Sequence, residues 1–260
     1  MSTQIDKGIK LVDELRMADA IRHFESLLSQ PTEQMEAHLW LAKLGIAAGE
    51  MEESAVHLEA VLQQNPHQAE ALALKGVLAL RSGNPGEAIR LFAEANRLDD
   101  GLLVVHANLA AGYRQLSSLP NALRAAREAV KRFPDNAQAR LELARTLWQM
   151  DNKQEALQTA IEALDIDNGF LPIYVDVANW LMAENELDAA IVTLQQGLAL
   201  LPQNSDLRAL LARAYLKAGK TQQAVSAARQ LVSQRGWKQD RDLLTKCTAA
   251  AAKGQEESRA

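Results

Sequence analysis

Apolar and polar residues alternate along this chain with a helical period, and the pattern itself repeats at a fixed distance. The segment 87–100, EAIRLFAEANRLDD, places Ala88, Phe92 and Ala95 among charged residues at helical spacing. This arrangement is typical of an amphipathic helix. Because residues of the same kind return 34 positions up and down the chain, the pattern predicts a series of similar helical units.

Three series of small residues share the 34-residue spacing. The first is Ala at six of seven positions: Ala20, Ser54, Ala88, Ala122, Ala156, Ala190 and Ala224. The second is Gly or Ala throughout: Gly8, Ala42, Gly76, Ala110, Ala144, Ala178 and Ala212. The third is small in the middle and larger at both ends: Leu27, Val61, Ala95, Ala129, Ala163, Gly197 and Leu231. Three series in one register, without an insertion, argue against chance alignment.

Turn-forming residues divide each unit in two. Gly, Asp or Asn stands in the middle of most units, at Gly49, Gly83, Asp151, Asn185 and Gly219. Such residues tolerate the left-handed conformation that ends a helix. Proline, which cannot continue a helix, falls near unit ends at Pro66, Pro134 and Pro202. Each unit is therefore predicted to be a helix hairpin, and hairpins must stack to bury their apolar faces.

The period and these positions resemble the tetratricopeptide repeat family. The fullest match is residues 103–136, with family-type residues at Leu109, Ala110, Tyr113, Ala122, Ala129 and Pro134. The early Trp position of the family is occupied by other residues: His38, Leu72, His106, Arg140, Tyr174 and Arg208. In the first unit, Leu15 and Thr32 replace the usual turn Gly and terminal Pro. The resemblance covers roughly residues 1–236.

This resemblance implies an all-α, right-handed superhelical solenoid of about seven 34-residue helix-turn-helix repeats. The expected repeats lie near 1–34, 35–68, 69–102, 103–136, 137–170, 171–204 and 205–236. Residues 237–253 read as one further helix that caps the stack with a polar outer face. Residues 254–260 form a polar tail.

Composition agrees with an all-α fold and narrows the function. Hydrophobic residues make up 48% of the chain and aromatic residues only 4%, and the abundant Ala and Leu favour helices. The net charge of −5 gives no global attraction to nucleic acid or anionic membranes. With a single cysteine, Cys247, no secretory leader and no apolar run long enough to span a bilayer, we expect a cytoplasmic protein.

No motif in the sequence points to catalysis. The five histidines show no metal-ligand spacing, and Cys247 is far in sequence from the nearest one, His106. Nucleotide-binding loops and hydrolase motifs are absent from the sequence. A basic cluster on the second helix of the fourth unit lacks aromatic residues, which makes nucleic-acid binding a weak hypothesis; it comprises Arg124, Arg127, Lys131 and Arg132. We predict no enzyme activity, no metal and no cofactor.

In the family that the chain resembles, the first helices of successive hairpins line a concave groove. The residues at the corresponding positions are Trp40, Lys43, Leu74, Val77, Asn108, Arg114, Arg145, Trp148, Asn179 and Arg213. Asn amides can bond a peptide backbone and Arg can fork a carboxylate. Trp40 and Trp148 are either anchors in the groove or packing residues between repeats. These positions predict an adaptor that binds a partner peptide or helix.

Two alternatives bear on the partner. A subgroup of the family clamps the C-terminal carboxylate of chaperones, but Ala73 and Val77 stand where that clamp needs Lys and Asn, which disfavours it. Charge is also uneven: residues 1–68 carry −6 and residues 205–260 carry +6. Opposite ends of opposite charge favour head-to-tail contacts. The alternative hypothesis is a scaffold that oligomerises through these ends.

Overall fold

The computed structural model describes the backbone of residues 3–257 and the side chains of residues 3–253. Over that range the chain forms fifteen α-helices and no β-strand, so the predicted all-α class is confirmed. In chain order the helices are α1 Thr3–Asp13, α2 Met17–Leu27, α3 Gln34–Ala48, α4 Met51–Gln64, α5 Ala69–Arg81, α6 Pro85–Leu98, α7 Leu103–Gln115, α8 Leu119–Arg132, α9 Ala137–Gln149, α10 Lys153–Ile166, α11 Leu171–Ala183, α12 Leu187–Leu200, α13 Ser205–Lys217, α14 Thr221–Gln234 and α15 Lys238–Glu257.

The helices belong to two compact units. Unit 1 comprises Met1–Pro134 with Gln149–Asp151, and unit 2 comprises Asp135–Trp148 with Asn152–Ala260. Within unit 1, each helix from α1 to α8 packs on the next, and α3, α5 and α7 also touch in turn. In unit 2, helices α10 to α15 pack in the same sequential way. Both units are therefore stacks of helix hairpins, in which odd-numbered helices up to α13 are first helices and even-numbered helices are second helices.

A left-handed residue makes the turn inside each hairpin. Its backbone φ ranges from 55° at Ser117 to 90° at Gly49. The residues concerned are spaced by 34: Leu15, Gly49, Gly83, Ser117, Asp151, Asn185 and Gly219. The turns expected from Gly, Asp and Asn are confirmed. Ser117 was not expected, because serine has no special preference for this conformation.

The three predicted series of small residues form the contact between helices. Every member of the series from Ala20 to Ala224 has no exposed surface, including the one serine, Ser54. That serine is satisfied locally, because its hydroxyl donates to the carbonyl of Glu50 at 2.6 Å. Since a small side chain lets two backbones approach closely, the repeated Ala sets the spacing of the two helices in each hairpin.

Whether a position of the second series holds Gly or Ala depends on the side chain that faces it from the second helix of the same hairpin. Gly8 and Gly76 are the two glycines of that series, and they face Phe24 and Phe92. A Cβ atom on Gly76 would lie 2.6 Å from the Phe92 ring, inside contact distance. In the other five repeats the facing position holds Leu or Ala, and the series holds Ala. The aromatic rings therefore fit only where the opposite Cβ is missing.

Helix α15 covers the last hairpin of unit 2. Leu243, Cys247 and Ala251 lie along one face and pack into a buried cluster with α13 and α14. The joint before α15 is held by Arg235, which forms a two-point contact with the carboxylate of Asp240 at 2.9 and 3.2 Å. Asp240 is only 2% exposed. The helix begins at Lys238 and extends to Glu257, so 254–257 of the expected tail are helical and 258–260 lie outside the described residues.

No helix among residues 3–257 is both long enough and apolar enough to cross a membrane.

Candidate partner-binding surface

Six of the ten predicted binding residues lie on the first helices of unit 1. Trp40, on α3, is half-buried and its ring stacks on Phe24 at 5.7 Å between centroids, with 1° between ring planes. Lys43, one turn later, holds its ammonium 4.3 Å from the centre of the Trp40 ring. The same ammonium lies 2.7 Å from the Glu70 carboxylate on α5. Trp40 is thus both a packing residue and a partly exposed surface, and Lys43 is neutralised within the chain.

Leu74 and Val77 lie deeper than their groove positions suggested. Each is 8% exposed, and both belong to the main apolar cluster of unit 1. Their spacing of three residues puts them on one face of α5, so only their edges reach the surface. Half-buried Val104 and Ala111 on α7 pack against the same cluster. Half-buried Ile9 and Val12 on α1 pack, like Trp40, against a separate cluster around Phe24.

Asn108 and Arg114 occupy the α7 part of the surface. The Asn108 amide donates to the carbonyl of Val104, one turn earlier, at 2.8 Å. Both side chains are half-buried. The Asn108 amide is therefore partly engaged within its own helix.

Arg145, on α9 of unit 2, is bound by two carboxylates of the chain itself. Its guanidinium contacts Glu142, which is 3% exposed, and Asp176 on α11. Burial lowers the pKa of Arg145, but attraction to Glu142 and Asp176 outweighs burial and the pKa is raised. One cation and two anions leave the cluster with a net charge of −1, so Arg145 anchors α9 to α11 and has little capacity left for a ligand carboxylate.

Trp148 stacks on Trp180, with 4.9 Å between ring centroids and 8° between ring planes. Trp148 is half-buried and Trp180 is 9% exposed. Lys153 lies 5.8 Å from the centre of the Trp148 ring and 2.9 Å from the Glu184 carboxylate. Sequence reasoning missed this stack, because Trp180 does not occupy a groove position of its repeat.

Asn179 and Arg213 are the most accessible of the ten residues. Both are exposed, on α11 and α13 of unit 2. Within the described part of the chain neither side chain makes a hydrogen bond or an ion pair. These two residues are therefore the polar groups best prepared to bond a partner.

The early repeat position that holds Trp in the family has a structural role here. Three of its occupants reach the carbonyl group six residues earlier, in the loop before their own hairpin. His106 bonds to Asp100 at 2.8 Å, Tyr174 donates to Asn168 at 2.9 Å, and Arg208 donates to Pro202. The sequence contained this signal as a donor at a fixed distance from the loop, but the resemblance alone did not reveal it.

The structure shows little that could support catalysis. Among the described residues, no group of three or more His, Cys, Asp or Glu could hold a metal ion. Cys247 is fully buried, and burial raises the pKa of its thiol, which disfavours the reactive thiolate. His38 and His57 form one contact, Nδ1 to Nδ1 at 2.8 Å, between α3 and α4. That pair joins two helices of a hairpin.

Comparison with known proteins places these features in a family. Two family models described as tetratricopeptide repeat match the chain, one at residues 11–78 and 181–236, the other at 55–102 and 108–169. The TPR repeat-containing protein YpiA of Bacillus subtilis (strain 168) is 22% identical over 229 residues. The match covers 87% of this chain and 53% of YpiA, so the chain spans about half the length of that relative.

Solved structures show the same fold. Yeast Tom70 superposes with a TM-score of 0.69 at 15% identity, covering 92% of this chain and 59% of Tom70. The hetero-tetramer of the anaphase-promoting complex, Cut9–Hcn1, contains a chain that superposes with a TM-score of 0.68 at 17% identity, covering 86% of this chain and 45% of that one. Together with the matches to the family models, the buried small-residue series and the stacked hairpins, these findings show that the chain belongs to the tetratricopeptide repeat family.

Proposed function

We propose that this chain is a non-catalytic scaffold that binds a segment of a partner protein on the first-helix surfaces of its units. The observation that carries the proposal is that some of the predicted binding residues are paired within the chain and others are not. Lys43 and Arg145 are engaged within the chain, whereas Asn179 and Arg213 are exposed and unpaired among the described residues. Surfaces that keep a few polar groups unpaired beside partly exposed aromatic rings suit peptide recognition.

The two surfaces favour different parts of a partner. In unit 1, Trp40 and its half-buried apolar neighbours suit the apolar face of an amphipathic helix. In unit 2, the Trp148 edge lies in a surface that also carries Asn179 and Arg213, which suits hydrogen bonds to a backbone or an acidic side chain.

The comparisons support the same proposal by analogy. One superposed chain belongs to the Cut9–Hcn1 hetero-tetramer, so a chain of this fold takes part in a protein assembly there. The single cysteine and the composition of the chain lead us to place the scaffold in a reducing compartment, the cytoplasm.

Affinity purification from the native organism, followed by mass spectrometry, tests the proposal. The bait is the full chain, and the test variant carries Asn179→Ala with Arg213→Ala. Arg229→Ala is the matched control, because Arg229 is an exposed, unpaired arginine on second helix α14 among the described residues. We expect a partner that is retained by wild type and by the control and is depleted at least tenfold by the test variant, since interface arginines often contribute more than about 1.4 kcal/mol. Equal recovery with all three baits would refute the role of this surface.

A further inference from the structure

The second helices of unit 1 carry an outward surface that the proposed function does not use. Four positions of each repeat, 34 residues apart, point outward on α4, α6 and α8, and we call each set of four an outer stripe. The stripes are Glu52, Val56, Glu59 and Gln63 on α4, Gly86, Arg90, Ala93 and Arg97 on α6, and Pro120, Arg124, Arg127 and Lys131 on α8. All twelve residues are exposed.

Charge changes sign across the three stripes. The α4 stripe holds Glu52 and Glu59, whose carboxylates have no ion-pair or hydrogen-bond partner among the described residues. The α8 stripe holds three cations, Arg124, Arg127 and Lys131; of these, Arg124 donates to the Asn121 side chain at 3.0 Å and Arg127 also has an interaction within the chain. Between them, Arg90 of α6 is engaged by Glu87 at 2.7 Å and Glu94 at 3.8 Å. One surface thus has an acidic edge, a centre that carries the paired Arg90 and an Arg97 without a partner among the described residues, and a basic edge.

The two edges also differ in shape. On α4, Val56 is 67% exposed and stands between Glu52 and Glu59. The outward side of α8 is an open surface that carries Pro120 and Leu123 together with Arg124, Arg127, Glu128 and Lys131. An apolar projection with acidic neighbours on α4 and a mainly basic surface with two apolar residues on α8 therefore belong to the same unit.

Symmetry restricts how two such surfaces can meet. Hairpins stack in chain order, so α6 lies between α4 and α8. A two-fold axis in the interface and perpendicular to the helices would place α4 on the α4 of the other copy, acid against acid. An axis parallel to the helices places α4 on the α8 of the other copy, twice, as an isologous interface requires. Attraction between the unlike edges favours the second arrangement, which also brings the α6 stripes of the two copies together at the axis.

We propose that two copies of this chain associate through the outer stripes of unit 1, about a two-fold axis parallel to the helices. Glu59 and Arg127 occupy the same repeat position, so each Glu59 faces Arg127 of the other copy. Val56 occupies the repeat position of Arg124 and therefore faces the part of α8 that Leu123 and Arg124 line. At the axis, Gly86 and Ala93 of the α6 stripe are small, and Arg90 is held by Glu87 and Glu94 of its own chain.

The expected dimer is weak and sensitive to salt. A 14-residue helix is about 21 Å long, and three helices packed about 10 Å apart present on the order of 500 Å² per copy. Stable interfaces bury about 800 Å² per partner. Exposed charge pairs are screened when the Debye length falls from about 10 Å at 0.1 M salt to about 3 Å at 1 M. Association should therefore weaken strongly over that range.

Sedimentation equilibrium of the full chain tests the proposal through charge reversal. Wild type should dimerise at low salt, and Glu59→Lys or Arg127→Glu alone should weaken dimerisation at least tenfold, because the symmetric interface contains each contact twice. An equimolar mixture of the two variants should recover the wild-type affinity as a heterodimer, since both contacts then pair opposite charges. The double variant should recover it as a homodimer.

Asp6→Lys and Lys7→Glu serve as matched controls, because both residues are exposed on first helix α1 and the substitutions change net charge equally. Circular dichroism melting confirms that all variants remain folded. A wild-type chain that stays monomeric at low salt would overturn the proposal, as would a dimer unaffected by the two reversals or one that the mixture does not restore. A monomer that instead binds an oligoglutamate peptide through Arg127 would assign the α8 stripe to an acidic partner and would also overturn self-association.

Discussion

At the scale of single residues, the repeat is a set of steric pairings rather than a list of preferred residues. Gly76 opposite Phe92 and Ala178 opposite Leu194 are two solutions to the same packing problem. Each pair fills the space between the helices of its hairpin with no exposed surface on the large residue. A change in one member is therefore tolerated only with a change in the other.

We expect Gly76→Ala to destabilise the chain by about 1–3 kcal/mol, because the added methyl group overpacks against the Phe92 ring. Combined with Phe92→Leu, which recreates the pairing of other repeats, the loss should be smaller than the sum of the single losses. Urea denaturation measures all three. Gly86→Ala is the control, since a Cβ there meets nothing within 4 Å; an additive double variant would contradict the steric pairing.

Leu15 is an unfavourable residue at its position. Its φ is 58° and its side chain is 80% exposed, so it has the backbone strain of a left-handed residue without compensating burial. Leu15→Gly should raise the free energy of unfolding by about 1 kcal/mol, measured by denaturant titration. Gly83→Ala, at the same repeat position with φ 75° and open space, should lower it by a similar amount. A neutral result for both substitutions would show that the turn is not strained.

The pair His38–His57 should make stability depend on pH. Burial lowers the pKa of both imidazoles, for His38 with help from His57, and for His57 against the attraction of Glu53 and Glu25. The unfolded chain then binds more protons below the usual His pKa of about 6.5. The contribution is therefore complete above that pH and is lost as pH falls through the lowered folded pKa. His57→Gln should flatten the decline of unfolding free energy between about pH 7 and pH 5; an unchanged slope would exclude the pair as its source.

At the scale of helices, α15 covers the last hairpin of unit 2, and the Arg235–Asp240 ion pair holds the connection between α14 and α15. The Asp240 carboxylate also accepts from the backbone N–H of Trp237 at 3.2 Å, and the Arg235 guanidinium lies 4.2 Å from the centre of the Trp237 ring. These contacts fix the angle at which α15 leaves α14. The buried Leu243 and Cys247 depend on that angle.

Asp240→Ala should destabilise unit 2 by about 1.5–3 kcal/mol, because it removes the two-point contact to Arg235 and leaves that guanidinium with Asp206 as its remaining carboxylate partner. Asp242→Ala is the matched control, since Asp242 is an exposed carboxylate on the same helix. Thermal and urea unfolding, followed by tryptophan fluorescence, measure both variants. Equal stability of the two would show that the joint does not hold the cap helix.

Helices, turns and buried series could be predicted from the sequence because one steric pattern is copied many times, and each copy confirms the register of the others. The sequence could not predict the ion pair between Arg145 and Asp176 or the stacking of Trp148 on Trp180. Those contacts join different repeats at positions that vary, so no series exists from which to infer them. Ser117 shows the same limit at a turn, since its left-handed conformation is imposed by the hairpin and not by its own preference.

At the scale of the whole molecule, each unit has two kinds of surface with different chemistry. First helices present partly exposed aromatic rings with few unpaired polar groups, and second helices of unit 1 present the graded outer stripes. A partner on the first helices and a second copy on the outer stripes would occupy separate surfaces of unit 1. The hypothesis of association through charged ends predicts instead that reversal of Arg127, which lies outside both residues 1–68 and residues 205–260, has no effect on self-association.

The central claim, that partners bind on first helices, is tested most directly by hydroxyl-radical footprinting of the complex with a purified partner. Three tryptophans serve as reporters in the chain: Trp40 and Trp148, half-buried on first helices, and Trp237, 54% exposed before α15. We predict that the partner lowers the oxidation rate of Trp40, Trp148 or both and leaves that of Trp237 unchanged. Unchanged oxidation of Trp40 and Trp148 in a saturated complex would contradict the account.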